Sequence, residues 1–331
     1  MSNSQMALAC LSRHTKKCLI TNNQDWEKNL KSFILKDKID YLIPIGYQSV
    51  MKCSKARDKL KKIVKLTLPS VKSLSIAADK SLLMKFAEKN GFAHPKTIAI
   101  SNQSGALRAA RILGYPLVVK PCLEGLRPSY PENQKELTEV LACLLPFGPK
   151  LLAQEYIKGD GYGYFALCDR GKPKLVFMHR RLRELPPTGG ASTCAESVHD
   201  KKLAHLGSKI LSKLNWTGVA MVEFKKYRGQ YYLIEVNPKF WGSLELSLAS
   251  GVDFLSGLIK LVDGKRIPKA DYPAGVKFQW PFPYDFRRSL KKPVDFWSFL
   301  LDLFNPKVKK DFWLIDPLPS IKQLLAAFFK V

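Results

Sequence analysis

Glu235-Val236-Asn237-Pro238-Lys239-Phe240-Trp241-Gly242-Ser243 is the most specific string in this chain. It closes an apolar strand, Tyr231 to Val236, and sets a carboxylate and a carboxamide two residues apart, on one face of that strand. An earlier strand, Gly218 to Phe224, carries Glu223 near its end. The turn Lys226-Tyr227-Arg228-Gly229-Gln230 joins the two as a hairpin. Glu223 and Glu235 are 12 residues apart across that hairpin, so their carboxylates can meet side by side. With Asn237 they form a set of hard oxygen donors suited to Mg²⁺, phosphate oxygens completing the shell. Spacing alone leaves a second reading open, a pair of acids on a solvated face.

Upstream, Ala77 to Asn90 has helical spacing and stops at Gly91, with Pro95 just beyond. It carries Lys80 directly after Asp79. Leu107 to Leu113 is a second helix, ended by Gly114. Pro116 to Pro121 is an apolar strand ending at Lys120, where an ammonium can reach a phosphate. Gln154-Glu155-Tyr156-Ile157 forms a strand edge leading to Gly159, a plausible hinge whose backbone groups can read an adenine between apolar side chains. Tyr162 to Cys168 and Lys174 to His179 make a hairpin around Asp169-Arg170-Gly171-Lys172, and Lys201 to Leu214 is a helix. Near the start, Lys17 to Ile20 and Asp40 to Ile45 read as strands, and Asp25 to Lys38 and Val50 to Val64 as helices. That alternation implies a small parallel α/β unit. No Gly-x-Gly-x-x-Gly follows a first strand, so it is not a complete dinucleotide-binding domain. Beyond Gly264, proline and aromatics are dense, and Phe296 to Phe304 and Ile321 to Phe329 read as short amphipathic helices.

The 331 residues are 46% hydrophobic and 25% charged, a globular composition long enough for one large or several small packed units. No apolar run reaches the roughly 20 residues of a membrane helix, and the first residues lack a basic-then-apolar leader pattern, so a cytoplasmic location is expected. Seven cysteines, none in Cys-x-x-Cys, argue against a disulfide framework and a structural zinc site. The formal net charge is +26, spread as +10 over residues 1–75, +9 over 76–264 and +7 over 265–331. A spread excess suits an anionic substrate or surface nearby, although solubility alone also accounts for it. Nucleic acid is disfavoured, because neither a recognisable binding module nor a basic stripe is present.

Taken in order, Asp79-Lys80, Val118-Val119-Lys120-Pro121, Gln154 to Gly159, Val222-Glu223-Phe224 and Glu235 to Ser243 resemble the ATP-grasp superfamily. The branch they are most similar to is the carboxylate–amine ligase-like group, related to the ATP-binding part of carbamoyl phosphate synthetase. The resemblance implies an α/β and α+β architecture: a shortened pre-ATP-grasp domain over 1–75, a two-lobed ATP-grasp domain over 76–264 and a helical extension over 265–331. It further implies that Lys80 and Lys120 contact the α- and β-phosphates. Gln154, Glu155 and Ile157 frame the adenine, with Asp160 toward the ribose. Glu223, Glu235 and Asn237 hold one or two Mg²⁺ ions (or Mn²⁺). Arg183 faces the transferred phosphate or the substrate carboxylate, and the loop Pro186 to Ser192 borders the acceptor pocket.

Two features depart from the family pattern. The loop Pro121 to Pro128 has a single glycine, Gly125, where a glycine-rich cover is usual, and Lys239 replaces an arginine, keeping charge but losing the bidentate fork. The expected reaction joins a small-molecule carboxylate, itself anionic, to an amine at the expense of ATP. The competing readings are a non-catalytic ATP-binding or regulatory protein, and a polyanion binder. The aromatic tail, with Arg287, Arg288, Lys291 and Lys292 interleaved, either packs on the main domain or touches an anionic membrane or envelope precursor.

Overall fold

In the computed structural model the described residues are 7–19, 25–123, 127–148 and 150–328. Ile20 and the Glu124-Gly125-Leu126 portion of the phosphate-loop reading lie outside them.

Two antiparallel sheets face each other across a cleft. The smaller contains β1 (Thr97–Ile100), β2 (Leu117–Pro121) and β3 (Leu151–Glu155) in the order β1-β3-β2. Helices Gln103–Leu113 and Gln134–Leu144 back it, each begun by an asparagine whose side chain accepts from a first-turn N–H. Ala106, Ala109 and Ala110 let the first of these helices approach Leu117, Val119 and Ala153 closely.

The larger sheet holds β4 (Asp160–Asp169), β5 (Lys172–Leu185), β6 (Ala191–Ser197), β7 (Gly218–Tyr227), β8 (Gln230–Asn237), β9 (Lys277–Gln279) and β10 (Lys309–Lys310). Among the described residues its order is β10-β9-β6-β5-β4-β7-β8, antiparallel except for the β9–β10 pair. The period of two along β4 sends successive side chains to opposite faces. Tyr164, Ala166 and Cys168 join a core with Trp216 and helix Lys201–Lys213. Phe165 and Leu167 join a second core with Trp241, Phe254 and Leu258. Gly207 is required in that helix, because a Cβ there would meet the Tyr164 ring at 2.2 Å.

The first 75 residues share the Trp216 core, through Leu30, Ile34, Val50 and Leu60. Among the described residues, the expected α/β unit is not formed there as a sheet. Helices Trp26–Lys36 and Tyr47–Lys55 are present, but the 40–45 strand reduces to one bridge, Tyr41 with Lys65. Pro44 lacks a donor and no neighbouring strand extends the pairing. Cys10 and Cys18 are disulfide-bonded, a single bridge where no disulfide framework is expected; Cys53, Cys122, Cys168 and Cys194 are free and buried. Among the described residues, no helix is long and apolar enough to cross a membrane.

Candidate functional site

The cleft between the sheets has a volume of about 540 Å³. One wall carries Lys120 on β2 and Gln154, Glu155 and Ile157 at the end of β3. The other carries Glu223, Glu235 and Asn237 on the β7–β8 hairpin, with Lys80 and Lys239 between. The hairpin register pairs Glu223 directly with Glu235, and Met221 with Asn237. The two acids are therefore a cross-strand couple in the cleft.

Each acid has a cationic neighbour. Lys80 Nζ lies 3.7 Å from one Glu235 oxygen, and Asn237 Nδ2 donates to the other at 2.7 Å. Lys80 is held in place locally. Asp79 caps its helix by accepting from the Ser81 and Leu82 N–H groups, and the Lys80 N–H donates to the Cys122 carbonyl at the end of β2. Lys120 is only 4% exposed. Burial, reinforced by Lys80, lowers its ammonium from 10.5 to about 8, while Glu235 and Glu223 oppose the shift. Burial works to raise Glu235, but Lys80 and Lys120 hold it below the usual carboxylate range. Glu223 is pushed up by burial and by Glu235, with Arg181 offsetting part of the push.

Arg181 is the arginine that enters the cleft. Its Nη2 lies 2.6 Å from Glu223 Oε2 and its Nη1 donates to Glu223 Oε1 at 2.8 Å, a bidentate pair, while Nη1 also donates to the Gly190 carbonyl at 2.9 Å. Arg183 does not line the cleft. The β5–β6 register slips on both sides of Arg183, so the ordinary two-residue repeat is broken and its side chain turns the other way. Its guanidinium pairs with Asp285 at 2.7 Å and Asp302 at 2.6 Å, both buried. The sequence-based placement of Arg183 in the site is thus corrected: the arginine that lines the cleft is Arg181. Asp160 also lies outside the cleft lining, exposed at the start of β4 opposite Lys226.

At the β3 end of the cleft, Gln154 Nε2 donates to Thr97 Oγ1 at 2.7 Å. The Glu155 N–H donates to the Lys96 carbonyl, whereas among the described residues the Ile157 N–H makes no backbone hydrogen bond. Above the cleft, the 186–190 loop is anchored by two tyrosines. Tyr130 donates to the Gly189 carbonyl at 2.8 Å and Tyr156 to the Thr188 carbonyl at 3.2 Å.

At the opposite end two further acids face the cavity, Glu245 and Asp311. Trp280 Nε1 donates to Glu245 at 3.4 Å. Asp311 follows β10 and is buried; burial first, then Glu245, pushes it up to about 7. Sequence reasoning missed Arg181, Tyr130, Tyr156, Glu245 and Asp311. Only Arg181 carried a local signal, its place in Arg180-Arg181-Leu182-Arg183.

The donor chemistry fits a hard divalent cation. Two carboxylates in direct register and a carboxamide supply oxygens at one point of a cleft flanked by lysines. Among the described residues no three His, Cys, Asp or Glu side chains cluster as a complete metal site, so the ion needs oxygens from a ligand such as a phosphate.

Residues 147–280 match the family described as "ATP-grasp in the biosynthetic pathway with Ter operon". The chain is 26% identical over 263 residues to the carbamoyl phosphate synthase large chain of Clostridium perfringens, covering 76% of this chain but only 24% of that relative. Its fold is similar to biotin carboxylase of Campylobacter jejuni, with a TM-score of 0.63, 19% identity, and coverage of 75% of this chain and 60% of that one. It is also similar to D-alanine–D-alanine ligase of Bacillus anthracis complexed with ATP, with a TM-score of 0.55, 19% identity, and coverage of 75% and 84%. The facing sheets and these likenesses agree on the fold: residues 147–280 match an ATP-grasp family, and the chain has the ATP-grasp fold.

Proposed function

We propose that the protein is an ATP-dependent ligase that activates a carboxylate as an acylphosphate and transfers the acyl group to an amine. The carrying observation is the Glu223–Glu235 couple, set in register between Lys80, Lys120 and Arg181 inside one cleft. Glu223, Glu235 and Asn237 would hold Mg²⁺, which supplies charge neutralisation and orientation of the triphosphate. Lys80 and Lys120 bind phosphate oxygens. Ile157 and Glu155 frame the adenine from the hinge.

A carboxylate and a triphosphate repel each other, so fixed cations at their meeting point lower the barrier more than any group acting on the carboxylate alone. Arg181 would be one of those cations, its guanidinium directed into the cleft at Glu223. The carboxylate oxygen attacks the γ-phosphorus and ADP departs. The amine nitrogen then attacks the acyl carbon and phosphate departs, leaving an amide. Asp311 and Glu245 receive the amine as its ammonium, and Asp311 accepts the proton it sheds. The tyrosine-anchored 186–190 loop keeps water from the acylphosphate.

The test is Mg²⁺-dependent ATP binding and ADP release, wild type beside Glu235→Ala, against pools of carboxylates and amines. ADP release that rises with particular pairs and is abolished in the variant is the expected result. Tight binding without release under any pool would move the protein to the non-catalytic ATP-binding reading. An unchanged rate in Glu235→Ala would refute the metal assignment.

A further inference from the structure

Fourteen of the 25 exposed large apolar side chains among the described residues lie between Tyr284 and Leu325, about an eighth of the chain. The helix Phe296–Phe304 shows how this arises. Its inner face carries Phe299 and Asp302, both buried, and Asp302 accepts from Arg183 and Lys277. Its outer face carries Trp297, Leu301 and Phe304, spaced four and three residues apart and therefore in one stripe. These side chains are 71%, 72% and 78% exposed. The loop before helix Pro317–Phe328 adds Trp313 and Leu314, the latter 93% exposed. An apolar set of this density on a surface marks a contact.

The charges around it are sorted. The five acids between residues 281 and 328 are Asp285, Asp295, Asp302, Asp311 and Asp316, and none is exposed. Asp285 and Asp302 clamp Arg183, Asp295 pairs with Arg288, and Asp316 takes Ser12 and the Arg13 N–H. Lys291, Lys292, Lys307 and Lys309 are all exposed. The outward surface of the extension therefore offers tryptophan, leucine, phenylalanine and lysine, while its acids are buried or half-buried, Asp295 reaching Lys292 at 3.5 Å as well as Arg288.

We propose that this face docks onto an anionic lipid bilayer, with Trp297, Leu301 and Phe304 entering the headgroup–acyl boundary and the lysines meeting acidic headgroups. The composition is that of an interfacial helix, lying in the membrane surface without crossing it. A second copy of the chain is a poorer occupant. A two-fold contact would set the same lysines against themselves with no exposed acid to balance them. A bilayer takes both halves of the pattern at once.

The experiment is co-sedimentation of the full chain with vesicles of pure phosphatidylcholine and of phosphatidylcholine mixed equally with phosphatidylglycerol, alongside light scattering to give the mass in solution. The expected result is binding to the mixed vesicles, weakened at high salt, from a monomer. Serine at Trp297, Leu301 and Phe304 together should reduce binding about 1,000-fold, since each removed side chain buries apolar area worth about tenfold. Glutamine at Lys291, Lys292, Lys307 and Lys309 should weaken it about fivefold per charge. These side chains point away from the core, so both variants keep the fold, which circular dichroism checks. No sedimentation with either vesicle, or equal sedimentation with both regardless of salt, overturns the proposal. A dimer that the serine variant dissociates, with no vesicle binding, assigns the face to a second copy. None of these outcomes depends on ATP turnover.

Discussion

Replacing Lys120 by methionine should make the protein more stable and its nucleotide site worse. The ammonium is buried in β2, and its pKa falls from 10.5 to about 8. At about 1.4 kcal/mol per pH unit, holding that charge costs the folded state about 3 kcal/mol below pH 8. The sign follows from proton counting. Between about pH 8 and 10.5 the unfolded chain keeps the lysine proton while the folded chain has lost it, so stability rises with pH through that window. Methionine has similar reach and no charge, so it removes the penalty at neutral pH. Glu235 and Glu223 lose one neighbouring cation, which returns part of the gain, but Lys80 and Arg181 remain on them. The net expectation is about 1–3 kcal/mol of added stability at pH 7. Loss of a charged hydrogen-bond donor should weaken ATP binding about 10–100-fold. Urea unfolding of both proteins from pH 7 to 10.5 tests the first part: the wild type should gain on the variant as pH rises. Titration with MgATP tests the second. A variant less stable than wild type at pH 7, or two stability curves parallel across the window, would refute the assignment of Lys120 as a strained, buried cation kept for its ligand.

Arg183→Met should cost about 3–5 kcal/mol of stability, because it strands two buried aspartates, while leaving the MgATP affinity of the folded fraction unchanged; urea unfolding and nucleotide titration separate the two. Gly161→Ala should cost about 1–3 kcal/mol and weaken MgATP binding. Its Cβ would sit 2.3 Å from Glu184 Oε1 and 2.7 Å from Arg181 Cδ, displacing the arginine from Glu223. Tyr130→Phe removes the donor to the Gly189 carbonyl and should release the 186–190 loop by about 1 kcal/mol, seen as faster amide exchange there with no change in the melting point.

The cross-strand acids were legible because a hairpin has only two faces. Once Gly218 to Phe224 and Tyr231 to Val236 read as its strands, register follows from the turn, and Glu223 opposite Glu235 follows from register. Lys80 and Lys120 were legible through the elements that carry them, a capped helix and a buried strand. Arg183 was misplaced for a reason sequence spacing does not express. Register slips shift which residue of an alternating pair faces inward, and they arise from the β5–β6 pairing, not from either strand alone. Asp311 and Glu245 were invisible for the opposite reason. They come from segments 66 residues apart and meet only because β10 pairs with β9 at the sheet edge beside Trp280. The missing strand near residue 40 shows the same limit, since an apolar run becomes a strand only where a partner lies alongside it.

The β5 strand links the two halves of the molecule's chemistry. Arg181 and Arg183 are two residues apart, and without the register slips both would face the same side. With them, one arginine serves the acids of the cleft and the other fastens the C-terminal extension through Asp285 and Asp302. That extension is itself a wall of the cleft, contributing Trp280, Tyr284, Asp311 and Gln323. Arg183→Met thus has a further consequence that separates the two ends of the site. The nucleotide end rests on β2, β3, β7 and β8 and stays intact, whereas the end holding Glu245 and Asp311 loses its fastening. Binding of simple ammonium probes such as ethylamine should fall with MgATP affinity preserved. Equal losses at both ends would mean that the extension braces the whole cleft, and that the division of labour along β5 is wrong.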